Sequence, residues 1–317
     1  MKDIKRLIVY LALTFAVTWS LEFFVVKPIV AEQGYGKSIV AQGIVAAMMF
    51  VPALCVLATR LITREGFKNS RLSVNFSGGR WKSCVAAWLL PPVLCTLGAV
   101  AYFLIYPEQF DASHSYIIRQ SAEMGVTITP EQMEQKVILD IIVAVIMAPL
   151  LNVVTCFGEE WGWRGYMMPK LRKRIKFIPA VFIGGLIWGL WHAPLIAMGH
   201  NYGTEYAGAP WLGIAMMCLF CIVLGTLFTW WTERAGSVWP AVIGHGAVNG
   251  FAAAPMYFVT DNNQALLGPT AAGLIGCSAL FIAAVVVMIL QSRLKREYAG
   301  SLQDGDCGGH NPSETTK

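Results

Sequence analysis

Apolar runs of about twenty residues, separated by short polar stretches, set the outline of this chain. They fall at roughly 7–28, 39–62, 83–106, 137–158, 178–198, 211–232, 238–258 and 269–291. Each is long enough to cross a hydrocarbon layer of ~30 Å as a helix. The pattern predicts an all-α polytopic membrane protein with about eight transmembrane helices, residues 1–298 forming one integral membrane helical domain. The first run follows Lys2, Lys5 and Arg6, exceeds a signal-peptide core in length and lacks a small-x-small cleavage site, so it reads as an uncleaved helix. The stretch 107–136 is acidic, with Glu108, Asp111, Glu123, Glu131 and Glu134, and Thr129-Pro130-Glu131 has the form of a helix start. Residues 299–317 are polar and glycine-rich, the composition of a disordered tail.

Composition agrees with this pattern: 56% of residues are hydrophobic and 14% charged, outside the range of soluble domains. The distribution of charge adds an orientation. With a cytoplasmic N-terminus, the two tails, the even-numbered loops and Arg60 at the inner end of the second run hold twenty of the 24 Lys and Arg residues, leaving Lys27, Lys37, Arg119 and Lys136 on the other side. That asymmetry predicts an even number of spans with both termini inside. It also accounts for the net charge of +5, so no nucleic-acid partner is implied. The expected partner is the lipid bilayer, that of the plasma membrane in a bacterium or the endoplasmic reticulum in a eukaryote.

Chemistry concentrates in three places. Glu159 and Glu160 adjoin at the end of the fourth run, where an ionised group costs ~3 kcal/mol at mid-bilayer and needs a partner. Arg164 stands four residues from Glu160 and can pair with it, while Glu159 is turned about 100° onto another face. In the fifth run Trp188 and His192 share a face, and Pro194 deprives the Leu190 carbonyl of its usual donor, predicting a kink near His192. At the start of the seventh, His245 and Asn249 lie four apart, with Gly244 and Gly246 permitting close approach of another helix or a substrate. Each feature alone also suits an interfacial charge or an interhelical hydrogen bond. Cys218 and Cys221 read as small packing residues, and Cys156 is a weak alternative nucleophile without an adjacent base.

Depth puts a condition on these groups meeting. His192 lies about 20 Å into a straight fifth helix, deeper than a fourth helix ending at 158 would place Glu159. The mismatch vanishes if 162–176 returns through the cytoplasmic leaflet or if the fifth helix begins near Gly184. The catalytic cavity is then expected to open to the cytoplasmic side. Two hydrolytic schemes are open: Glu159 and His192 polarise a water while His245 and Asn249 stabilise an oxyanion, or Glu159, His192 and His245 bind Zn²⁺.

The series Glu159-Glu160-x-x-x-Arg164, Trp188-x-x-x-His192 and His245-x-x-x-Asn249, on successive apolar helices, resembles the CPBP intramembrane protease family. This family includes CAAX-processing endoproteases of the Rce1 type and bacterial abortive-infection and bacteriocin-immunity proteins. The likeness covers about 150–255 within an expected core of 137–258, with Trp188 where the family more often has phenylalanine. It implies an endopeptidase acting on a membrane-associated or prenylated protein or peptide. Glu159 and His192 would activate water, His245 and Asn249 would serve an oxyanion or metal site, and Glu160 with Arg164 would support them. A non-catalytic immunity or scaffolding protein is the rival reading. A transporter would show internal repeats, and none is visible.

Overall fold

The computed structural model describes residues 2–34, 38–68, 70–74 and 77–305, with side chains as far as Arg293. Its backbone is helical, and among the described residues the sole β pairing is an isolated bridge between Phe110 and Val259. Four helices are long and apolar enough to cross a membrane: α1 (Lys2–Gln33), α2 (Ile39–Ile62), α3 (Trp81–Ile105) and, later in the chain, Trp211–Ala235. Leu61, Leu104, Leu151 and Val154 expose their side chains outward, so apolar surface remains where a lipid contact requires it.

Between α3 and the second half of the bundle come α4 (Ser115–Glu123) and α5 (Pro130–Ile146). The expected start of α5 is present in full: Thr129 caps the Gln132 amide, Gln132 returns the bond to Thr129, and proline occupies the first turn. The fourth apolar run is a relay of short helices. After α5 come Ala148–Leu151 and then α6 (Val153–Glu160), which passes directly into a π-helical stretch, Trp161–Met167, and a final turn, Met168–Arg172. The remaining helices are α7 (Phe177–Trp191), α8 (Trp211–Ala235), α9 (Trp239–Phe251) and α10 (Ser278–Gly305).

Two polar layers mark the ends of the bundle. At one end Glu65 binds Lys170 at 2.7 Å and Tyr166 at 2.6 Å, Lys173 reaches Asp3, and Arg172 reaches Glu233. At the other, Asp111 accepts from Ser113 and Ser115, and Arg119 donates to the Thr260 carbonyl. The basic cluster at 170–176 is thus partly neutralised by acids of three other segments, a structural use for residues that sequence alone assigns to topology.

Two expectations change. The eighth helix begins at Ser278, not 269, because Gly268, Gly273 and Gly276 fold into turns whose backbones touch: a Cβ on Gly276 would lie 1.9 Å from the Thr270 carbonyl oxygen. Of the tail expected to be disordered from 299, residues 299–305 continue α10 and 306–317 lie outside the described residues. Glu22 in α1 is wholly buried, and neither of its carboxylate oxygens has a hydrogen-bond partner among the described residues.

Glycine sets the closest helix pairing. Gly185 and Gly189, one turn apart on α7, face Ile222 and Cys218 on α8, and a Cβ at either glycine would sit 2.4 Å from a Cα of the partner. Cys218 is therefore a packing residue, as its apolar surroundings suggest. Gly185→Val or Gly189→Val forces the two backbones apart and is expected to cost at least ~1–3 kcal/mol, read as a lowered Tm in detergent. An unchanged Tm would contradict this contact.

Partial burial alone would raise the Glu65 carboxyl, but hydrogen bonds from Lys170 and Tyr166 and nearby cations outweigh it and hold Glu65 below the ordinary glutamate value of 4.5. Burial also lowers Lys170, which gives back part of the gain. Because the folded carboxyl is the stronger acid, its contribution is present above about pH 4.5 and is lost as pH falls through the folded value. Glu65→Gln should therefore lower Tm at pH 7 and narrow the gap to wild type below pH 4, as a pH series of melts would show.

Candidate active site

Each site residue owes its place to a local feature of its helix. On α6 the spacing Gly158-x-x-x-Gly162 lets this segment lie directly on α2: a Cβ on Gly158 would be 2.5 Å from the Phe50 Cα, and one on Gly162 2.5 Å from the Pro52 Cβ. The glycine face turns towards α2, leaving Glu159 and Glu160 to point elsewhere, both buried. The π-helical stretch that follows, a form often found at functional sites, buries all seven of its residues. On α7, the helix ends at Trp191, His192 occupies the joint, and a short helix, Ala193–Ala197, carries Pro194 in its first turn. The kink expected near His192 is thus a break at that residue.

The depth condition is met, though not by a late start of the fifth helix, which begins at Phe177. The helical path through Glu159 runs on, buried, to Arg172. Glu159 therefore lies roughly 20 Å from the 173–176 turn, about as far as His192 does on the way back.

The two carboxylates have different surroundings. Glu160 accepts from Arg164 at 3.0 Å and from His245 Nδ1 at 2.8 Å, both on Oε1, while Oε2 is buried without a hydrogen-bond partner among the described residues. The Arg164 guanidinium stacks on Trp188, 4.1 Å from the ring centre, and lies 5.2 Å from that of Phe228. Glu159 makes no ion pair among the described residues; its Oε2 accepts from the indoles of Trp188 at 2.6 Å and Trp163 at 3.3 Å. The pairing of Glu160 with Arg164 is as the spacing predicts. The bonds from Trp188 to Glu159 and from His245 to Glu160 cross between helices and had no local signal, whereas Trp163, four residues after Glu159, was legible as a same-face neighbour.

His192 Nδ1 lies 2.9 Å from the Trp188 carbonyl oxygen. A carbonyl can only accept, so Nδ1 carries the proton and the Nε2 lone pair is left available. Asn249 donates weakly to Cys156 Sγ at 3.7 Å, and the buried Cys156 thiol serves as a packing contact. Glu159, His192, His245 and Asn249 all border one cavity of about 460 Å³, within the usual range for ligand sites. His200, absent from the sequence motifs, borders it too.

One carboxylate and two imidazoles are donors suited to Zn²⁺. Among the described residues, however, no three His, Cys, Asp or Glu side chains are gathered closely enough to hold a metal ion. The expected Glu159, His192, His245 ligand set is not assembled in this arrangement.

From Glu159 the cavity runs past His192 and Asn249 to His200, Asn201, Asn262 and Thr270, residues of the segments that follow α7 and α9.

Arg164→Ala would leave the buried Glu160 carboxylate with His245 alone and should destabilise the fold by ~3–5 kcal/mol. Arg164→Lys should recover little of that loss, because an ammonium reproduces neither the fork nor the stacking on Trp188. Thermal melts of both variants check this, and a fully stable Arg164→Ala would contradict it.

Residues 138–251, which hold all of these groups, match a model of the type II CAAX prenyl endopeptidase Rce1-like family. A curated relative, CAAX prenyl protease 2 of Methanococcus maripaludis, is 29% identical over 145 residues, 45% of this chain. The chain spans about half the length of that relative, 49%. The residues that carry the motifs lie within the matched segment, and over 138–251 the chain is similar to the type II CAAX prenyl endopeptidase Rce1-like family.

Proposed function

We infer that the protein is an intramembrane endopeptidase that hydrolyses a peptide bond in a membrane-associated protein or peptide, of CAAX type if its substrate follows the relative's name. The observation that carries this reading is the convergence of Glu159, His192, His245 and Asn249 on one cavity. Both indole donors fall on Glu159 Oε2, which leaves Oε1 to accept a proton from a water in the cavity. His192, its Nδ1 held by the Trp188 carbonyl, offers Nε2 as a second acceptor and so orients that water towards a substrate carbonyl. As the tetrahedral centre forms, the Asn249 amide can donate to the oxyanion. His245, oriented by Glu160 at Nδ1, can do the same through Nε2 when both ring nitrogens carry protons. The proton taken from water then passes to the leaving amine.

The membrane arrangement that fits this reading has eight crossings with both termini on the cytoplasmic side. It rests on the alternation of helix direction between the two polar layers and on the concentration of Lys and Arg at one of them.

Cleavage of a quenched reporter peptide in detergent tests the assignment. Glu159→Gln and His192→Ala should each lower kcat by ~10²–10⁴, and Asn249→Ala by ~10²–10³, with Tm near that of wild type for Glu159→Gln. Undiminished turnover in both Glu159→Gln and His192→Ala would remove the peptidase reading and favour a non-catalytic immunity or scaffolding role.

A further inference from the structure

α1 lies outside the matched segment, yet it buries a polar stripe against it. Tyr10, Thr14, Thr18 and Glu22 recur every fourth residue, the spacing of one helix face, and all four are fully buried. The Tyr10 ring packs edge to face on that of Trp163, an indole donor to Glu159, with centres 5.9 Å apart. Thr18 accepts from the Trp191 indole at 2.9 Å, and the Trp19 indole donates to the Trp191 carbonyl at 3.2 Å. Trp191 is thus held by α1 through both its side chain and its backbone. Its ring centre lies 5.8 Å from that of Trp163 and 4.8 Å from that of His192, so this clamp reaches the neighbours of both proposed proton acceptors.

Glu22 closes the stripe one turn beyond Thr18. There α1 widens into a π-helical stretch, Glu22–Val26, which packs on Ile39–Met48 and on Ala193–Ala197, the short helix that follows His192. Neither of those segments carries an ionisable residue. Both Glu22 oxygens are buried without a hydrogen-bond partner among the described residues, and Lys27, the next cation along the helix, is exposed. Keeping a carboxylate ionised there, without donor or cation, costs more than neutralising it. A neutral acid is a donor as well as an acceptor. At the same joint Pro194 leaves the Leu190 carbonyl without its usual amide donor, an acceptor that only the protonated form could use.

Given the peptidase reading on which this rests, we propose that Glu22 is a neutral carboxylic acid and a positioning residue for His192. Thr18 and Trp19 hold Trp191, and the Glu22 hydroxyl donates to a backbone carbonyl that the break at Pro194 leaves free. His192 sits within this frame. Its Nε2 is then aimed at the cavity by three residues of α1 as well as by the Trp188 carbonyl at Nδ1. Glu22 does not border the cavity, so it acts on the reaction only through the joint.

Infrared difference spectra of the resting protein at neutral pH test the state of Glu22. Wild type minus Glu22→Gln should show the carbonyl stretch of a protonated carboxylic acid; a carboxylate band in its place overturns the proposal. The reporter assay tests the role. Glutamine keeps a donor and an acceptor in the same shape, whereas leucine only fills the space. Glu22→Gln should therefore hold kcat and Tm near wild type, while Glu22→Leu lowers kcat by ~10-fold or more with KM unchanged. Full turnover in Glu22→Leu would leave Glu22 a packing residue and overturn the proposal. So would a Glu22→Gln with kcat lowered tenfold, the behaviour of an ionised carboxylate that serves a bound cation. The infrared band and the Glu22→Gln rate decide the matter even where Glu22→Leu does not fold. Absence of turnover in wild type would defeat the peptidase reading and the positioning role with it, while the infrared band would still fix the charge of Glu22.

Discussion

The second half of this bundle is organised around one buried charge. Glu160 has no exposure to solvent, and an ionised carboxylate in such surroundings persists only if cations and donors meet it there. Arg164 does so from the same helical path and His245 from α9. Arg164 in turn lies against Trp188 of α7 and Phe228 of α8. Four helices are thereby registered on a single group. The desolvation of Glu160 and Arg164 largely offsets their attraction, so the cluster specifies an arrangement more than it adds stability.

Apolar contact cannot select that arrangement by itself, because lipid tails offer a helix much the same surroundings as a neighbouring helix. Small residues supply the missing selectivity. Gly158 and Gly162 bring the Glu159 segment onto α2, Gly185 and Gly189 bring α7 onto α8, and Gly246 lies close to Pro149. In each case the glycines face the neighbouring backbone, and the residues between them point elsewhere. On α6 those residues are the two glutamates, so the contact that packs the helix also aims its chemistry.

Features governed by local spacing were legible in the sequence. The apolar runs, the cap at Thr129, the Glu160–Arg164 pair, the break at His192 and the packing role of Cys218 all follow from neighbours within four residues. Contacts across helices left no such trace: the donation from Trp188 to Glu159, the His245–Glu160 bond and the burial of Glu22 depend on rotations that hydrophobic periodicity does not encode. The depth of Glu159 was legible only as a condition. It is met because Trp161, Trp163 and Arg164 are buried in a helical path that continues to Arg172, aromatic rings and a paired arginine lining a helix core as readily as a membrane boundary.

Two adjacent carboxylates could not perform the same task in such a place. A group that must take a proton and release it within each turnover needs a free lone pair and no strong cation. Glu160, with Arg164 and His245 on one oxygen and no place in the cavity lining, is not positioned to serve. Glu159 is held by two indoles, which are neutral donors and leave its charge uncompensated by any ion pair. That difference follows from helical phase: a step of about 100° separates the face that meets Arg164 from the face that meets the cavity. On the proposed peptidase reading the pair divides its labour: Glu160, bonded to Arg164, fixes His245, and Glu159 meets water. A cavity that reaches only Glu159 of the two is consistent with that division, since water admitted to Glu160 would dissolve the pairing on which the position of His245 depends.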